Sequence, residues 1–206
     1  MYIPKHFNIS DIGEAVNFMQ RYSFATLINV SGGLPVATHL PFVVEQHDER
    51  VVLYSHLAKA NTQSADLLSG NSLVIFTEPH AYIAPKLYEK ELNVPTWNYL
   101  AVHAYGQVQL VEDETEQLRE LERMITYYDA GYLKQWSGFP LEYKLKLCKG
   151  IVLFKITVTD LQGKKKLSQN RTDTDRQSII SAFSHSTDAN EQTIADYMVQ
   201  DYNRNK

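Results

Sequence analysis

Short β-rich runs separated by turn signals, with no sustained helical repeat among them, fill the chain from Phe24 to Val111 and limit it to a mainly β fold. Phe24 to Val30 reads as a strand, Ser31-Gly32-Gly33 as a turn, and Leu34 to Glu45 as a returning strand. Gln46 to Arg50 makes a second polar turn before the strand-like Val51 to Leu57, so these runs predict an antiparallel meander. A short helix is expected over Asn61–Ser69, with Asn61 as its cap and Gly70 as its terminator. Two further strands, Asn71–Glu78 and Ala81–Leu87, flank Pro79-His80, and a loop over Glu89–Pro95 leads to a long strand over Trp97–Val111. The β-branched run Ile151–Leu161 is the last strand expected.

Helices surround this β-rich body. Ile12, Ala15, Val16 and Met19 recur at helical spacing within Asp11–Tyr22. Leu118, Leu121, Ile125 and Tyr128 do so within Glu114–Tyr128, where Asp113 and Glu116 have capping-box spacing. Ala130–Leu147 reads as irregular, and one or two terminal helices follow Gly163, the better marked being Asn190–Tyr202. Six or seven antiparallel strands with peripheral helices favour a small barrel over an immunoglobulin-like sandwich. Residues 1–170 are expected to form that domain and residues 171–206 a helical extension packed on the barrel or on a partner subunit.

Composition narrows the function classes. The 206 residues are enough to bury a core without staples, and the single Cys148 excludes an intramolecular disulfide and a cysteine-based zinc site. No apolar run approaches the ~18 residues of a membrane span, and Pro4, Lys5, His6 and Asn8 interrupt the segment where a signal peptide would be apolar, so a cytoplasmic location is expected. The net charge of −4 speaks against a dedicated DNA-binding surface, because such a surface draws most of its affinity from neutralising phosphates. No helix pair with a short turn and a basic second helix is evident either.

Four stretches carry candidate chemistry. Ser55-His56-Leu57-Ala58-Lys59-Ala60-Asn61-Thr62-Gln63 runs from a strand into a helix start, where free N–H groups and Lys59 suit an anion; capping by Asn61 and a solvated Lys59 are its structural alternative. In Ala37-Thr38-His39-Leu40-Pro41, alternation places Thr38 and Leu40 on one face and His39 on the other. Trp97 and Tyr99 share one side of their strand with Asn98 opposite, which suits either a ligand or the core. Gly163 to Arg171, with Lys164, Lys165 and Lys166, reads equally as an anion contact or a polybasic surface loop. His39, His56, His80 and His103 match no metal-ligand spacing, so no metal site is expected. Gly-x-Ser-x-Gly and Gly-x-Gly-x-x-Gly signatures are absent.

Together with the opening Met1-Tyr2-Ile3-Pro4-Lys5 and the run Pro95-Thr96-Trp97-Asn98-Tyr99, these stretches, over roughly residues 1–180, resemble the PaiB family. The resemblance implies an FMN-binding split β-barrel, akin in fold to pyridoxamine-phosphate oxidases and flavin reductases, and a homodimer with FMN at the interface. It implies that Thr38, His39 and Leu40 lie along the isoalloxazine ring, and that Ser55, Lys59 and Asn61 lie near the ribityl phosphate. His56 and Gln63 belong to the same motif, while on this resemblance Trp97, Asn98, Tyr99, Lys166, Ser168, Gln169 and Arg171 approach the pocket, from the same or the second subunit. Which of Lys59, Lys166 and Arg171 meets the phosphate stays open.

The family's role is negative regulation of protease-synthesis and sporulation genes, by an indirect route through a protein partner or a flavin-dependent reaction if DNA is not touched. The competing reading is an FMN-dependent oxidoreductase or flavin reductase with a small-molecule substrate, with His56, Tyr99 and Arg171 as substrate contacts. A third is a haem pocket with a strand histidine as axial ligand.

Overall fold

The computed structural model describes residues 1–204. In chain order the elements are β1 (Asn8–Ile9), α1 (Ile12–Arg21), β2 (Phe24–Ser31), β3 (Leu34–Pro41), β4 (Val43–His47) and β5 (Arg50–Ala58). There follow β6 (Asn71–Ile83), β7 (Thr96–Leu110), α2 (Glu114–Asp129), α3 (Leu133–Ser137), α4 (Leu141–Cys148), β8 (Ile151–Lys166), α5 (Asp173–Ser184) and α6 (Ala189–Arg204). The strands form one sheet ordered β3-β2-β6-β7-β8-β5-β4, which does not close, with β1 paired to β8 off that path. The expected class, a mainly antiparallel split barrel with peripheral helices, holds, with eight strands where six or seven were expected.

The chain divides into two compact units. One comprises Met1–Asp11, Thr77–Val102 and the chain from Gln162 onward; the other comprises Ile12–Phe76 and His103–Leu161. In the second unit β2 pairs antiparallel with β3 from Phe24↔Pro41 to Ser31↔Leu34, and β5 with β8 from Val52↔Thr157 to Ala58↔Ile151. Its core holds Met19, Leu27, Phe42, Leu53, Phe76, Phe154 and Ile156, all essentially inaccessible. The Phe42 ring meets Phe76 and Phe154 edge-on at 5.8 and 6.4 Å, a geometry the aromatic quadrupole favours. In the first unit Ile83, Leu100, Leu167, Ile179, Ile194 and Met198 are buried, and α5 packs on α6.

Several boundaries differ from the sequence-based expectation. The returning strand expected over Leu34–Glu45 breaks at Phe42, whose ring is fully buried, so that β3 pairs with β2 and β4 with β5. The two strands expected around Pro79 are one strand, β6, and the Pro85–Leu87 portion of the second is a 3-10 turn. The helix expected over Asn61–Ser69 is a 3-10 turn over Thr62–Asp66, although Asn61 does cap it, accepting from the Gln63 N–H at 2.9 Å. The irregular stretch 130–147 contains α3 and α4, each too short to display a full apolar repeat. Finally, β8 continues past Leu161 to Lys166, with β1 pairing beside it at Gly163 and Lys164. A Cβ at Gly163 would stand 2.7 Å from Ile9 Cβ, which makes glycine necessary at that close approach.

Candidate functional site

In the Ile12–Phe76 part of the second unit, the 3-10 turn is sewn to the β2–β3 hairpin by side chains. Thr38 Oγ1 donates to Gln63 Oε1 at 2.6 Å and accepts from Asn61 Nδ2 at 3.0 Å. The Gln63 amide donates to Asn29 Oδ1 at 2.8 Å, and Asn29 donates to Ser72 Oγ at 2.6 Å. Gln63, Asn29 and Ser72 are all buried, and a buried amide keeps its place only when its donors and acceptors are met. Thus Thr38, Asn61 and Gln63, which the sequence singled out separately, are brought into one network.

Their neighbours have different surroundings. Leu40 is buried and Thr38 half-buried while His39 is exposed, as the alternation predicts, and His39 stacks on Phe24 with ring centroids 6.4 Å apart. Ser55 is buried and donates to the Pro41 carbonyl at 2.7 Å. Lys59 is exposed. The five-residue 3-10 turn beyond it lacks the aligned peptide dipoles of a full helix, so the helix-terminus argument for an anion at Lys59 falls away.

His56 Nδ1 lies 3.4 Å from Met124 Sδ, and burial lowers its pKa from the ordinary histidine value. The folded state therefore binds fewer protons at this site than the unfolded chain. Its contribution to stability is complete above the unfolded value of about 6.5 and is lost as the pH falls below it. Burial acts on His103 in the same direction. The melting temperature should fall between pH 7.5 and 5.5, and His56→Gln should flatten that slope without abolishing it; an unchanged slope in the variant refutes the assignment.

In the first unit the carboxyl end of β8 turns through Leu167–Arg171. Ser168 takes a left-handed backbone conformation (φ 60°), is buried, and donates to the buried Asn98 Oδ1 at 3.1 Å. Gln169 accepts from the Leu167 N–H at 2.7 Å and donates to the Lys165 carbonyl at 2.8 Å, which locks the turn. Asn98, Ser168 and Gln169 are thereby engaged in shaping the loop. Trp97, half exposed, stands 5.6 Å from Tyr82 and 5.8 Å from His80 between ring centroids.

The cations of this loop divide into two kinds. Lys165 lies 3.4 Å from Asp201, which also pairs with Arg176 at 3.1 Å. Lys164, Lys166 and Arg171 instead have neutral partners. Lys164 Nζ donates to the Tyr2 carbonyl at 3.1 Å and lies 5.2 Å from the Tyr99 ring centre. Lys166 Nζ donates to Thr96 Oγ1, and Arg171 donates to Asn93 Oδ1 at 2.7 Å above the Tyr88 ring. Burial lowers the Lys166 pKa, and the positive charges of Lys164 and Arg171 lower it further. Three mutually repelling cations with neutral partners form a place where an anion relieves the repulsion.

One groove was not foreseen. His47, Arg50, Tyr54, Gln109, Lys155 and Thr157 line a groove of about 880 Å³ in the second unit, and none of the sequence-predicted site residues lines it. Arg123 forms its neighbouring ion pairs, with Glu45 and, at 3.1 Å, with Glu120. Tyr54 faces Lys155 only through the β5–β8 register, so no local pattern announces the groove.

The family described as "Putative FMN-binding domain" matches residues 1–160. The chain belongs to that family. This member is 38% identical over 201 residues to "Protease synthase and sporulation protein PAI 2" of Bacillus subtilis (strain 168), with 96% of each chain covered. The resemblance to the PaiB family therefore stands, and FMN is the cofactor the family assignment gives. The family member is also 33% identical over 193 residues to the uncharacterized protein AN0679 of Emericella nidulans, covering 74% of this chain and 77% of that one.

Among solved structures, the flavocytochrome Anf3 of Azotobacter vinelandii superimposes with a TM-score of 0.63 at 15% identity, covering 80% of this chain and 72% of that one. The FAD and heme binding protein of Mycobacterium smegmatis gives 0.61 at 14% identity, covering 81% and 77%. At these identities the likeness is one of fold. Among the described residues no helix is long and apolar enough to cross a membrane, and no three His, Cys, Asp or Glu side chains converge as metal ligands.

Proposed function

We propose that this protein is a cytoplasmic, homodimeric FMN-binding regulator of the PaiB type, acting on protease-synthesis and sporulation genes by an indirect route. The observation that carries FMN binding is the trio Lys164, Lys166 and Arg171, whose neutral partners leave their charge for a phosphate dianion. Bound FMN would supply reversible redox chemistry. Lys166 and Arg171 bind the phosphate, with Lys164 completing the positive field. Asn98, Ser168 and Gln169 hold the loop that presents them. In the proposed homodimer one subunit lays Thr38, His39 and Leu40 along the ring, with Asn61 and Gln63 fixing the Thr38 hydroxyl, and the other brings Lys166, Arg171, Trp97 and Tyr99 to the ligand.

The homodimer is supported by the uncharged outer face of the β2–β3 hairpin, where Phe24 and Val30 are 68% and 56% exposed and alternate with buried Ala25 and Leu27. The regulatory role is supported by the name of the Bacillus relative and its 38% identity across 96% of both chains. The net charge of −4 supports the indirect route. The competing reading is an FMN-dependent oxidoreductase. Purified protein loaded with FMN should bind the flavin stoichiometrically and oxidise NADH or NADPH no faster than free FMN does. Sustained turnover would replace the regulator with the enzyme, and failure to take up FMN would remove both.

A further inference from the structure

The segment from α3 to α4 has a character unlike the rest of the chain. Residues 133–149 carry Lys134, Lys144, Lys146 and Lys149 against the single acid Glu142, in a protein whose net charge is −4. Among the described residues none of the four lysines is ion-paired; Lys144 rests 5.2 Å from the centre of the Trp136 ring. The helix pair α3–α4 has a three-residue connection, Gly138-Phe139-Pro140, and a basic second helix. This corrects the expectation that no such pair exists.

Its exposed surface is apolar as well as basic. Leu141, Tyr143 and Leu147 are 61%, 48% and 42% exposed, and α4 is backed by α2. At the N-terminal side of α4, the rings of Tyr132, Trp136 and Tyr143 surround Phe139 at 5.3 to 6.4 Å. Leu141 and Leu145 line a cleft of about 440 Å³ whose rim carries Lys146, Lys149 and Glu142. Leu141 and Leu145, four residues apart, share the face of this cleft, while Tyr143 and Leu147 lie on the other flank of the helix. A phosphate backbone would use the lysines but leave Leu141 in water, and an apolar anchor with a charged rim is the anatomy of a protein–protein contact.

We propose that α4 is the docking surface for an acidic, leucine-rich peptide segment of a partner protein, which seats an apolar side chain between Leu141 and Leu145 and sets its carboxylates against Lys146 and Lys149. This inference is independent of FMN binding, since none of these residues belongs to the proposed flavin site. It gives indirect regulation a physical point of attachment.

The test uses the full chain and a fluorescein-labelled peptide alternating glutamate and leucine, read by fluorescence anisotropy. Saturable binding is expected, weakened about 30-fold by Leu141→Asp and at least about fivefold by Lys146→Glu. The same peptide with glutamine for glutamate should bind at least about fivefold more weakly. Both substituted positions are exposed, and amide exchange on the unsubstituted protein provides a second readout in which peptide should protect α4 selectively. Equal binding by the variants, protection elsewhere, or preferential binding of a DNA duplex or of phosphatidylserine vesicles would overturn the proposal. Unchanged FMN content in Leu141→Asp keeps this result separate from the flavin assignment.

Discussion

The double variant Lys166→Ala/Arg171→Ala should bind FMN at least about 100-fold more weakly than the unsubstituted protein, since each charge-assisted hydrogen bond lost costs about 1.5–3 kcal/mol. The unsubstituted protein carries its loop cations at a cost. Burial and the charges of Lys164 and Arg171 hold the Lys166 ammonium below the usual lysine range, and a bound dianion reverses that pressure. Removing two cations relieves repulsion in the unliganded protein but also removes the hydrogen bonds to Thr96 and Asn93, so the melting temperature should change far less than flavin affinity. Lys59→Ala should leave FMN affinity within about twofold, because Lys59 is exposed and solvent screens such charges. Equal losses in both variants would place the phosphate at Lys59 after all.

Gly106→Ala should destabilise the protein by about 3 kcal/mol and lower its melting temperature by about 6–12 °C. In the interior of a strand, alanine ordinarily improves on glycine by roughly 0.5–1 kcal/mol, so a loss here reports a specific clash. A Cβ at position 106 would fall 2.3 Å from the Thr157 carbonyl oxygen and 2.6 Å from Ile156 Cγ2. The oxygen belongs to the backbone of β8, which moves only if the sheet moves. Scanning calorimetry of the two proteins checks this, and an unchanged or raised melting temperature contradicts it.

Elements with a complete local signature were legible in the sequence. Helix α2 shows its apolar stripe, and Asp113 accepts from the Glu116 N–H at 2.9 Å as the capping box requires. The β2–β3 hairpin follows from Gly32 and Gly33, both at positive φ, between alternating runs. Features that depend on distant partners were not legible. The end of β8 has no apolar alternation, and its Gly163 and Lys164 are paired with Ile9 and Asn8 from the far end of the chain. The 3-10 turn after Asn61 is shaped by Gln63 reaching Asn29, 34 positions away.

The candidate site follows the same division. The grouping of Thr38 with Asn61 and Gln63 spans 23 and 25 positions, so only its residue types could be read from the motifs. The sorting of the lysines could not. Lys165 differs from Lys164 and Lys166 only because Asp201 of α6 pairs with it, which no spacing within the run encodes. Likewise the basic, apolar surface of α4 was hidden in a stretch whose helices are too short to declare a period.

Comparing FMN with riboflavin as ligands of the same protein tests the central claim most directly, because the two differ only in the phosphate. Equilibrium titration followed by flavin fluorescence should give FMN an advantage of at least about 100-fold in the unsubstituted protein, reduced to within about threefold in Lys166→Ala/Arg171→Ala. Equal affinities for FMN and riboflavin in the unsubstituted protein, or an advantage that survives the double substitution, would contradict the assignment of the phosphate to these cations.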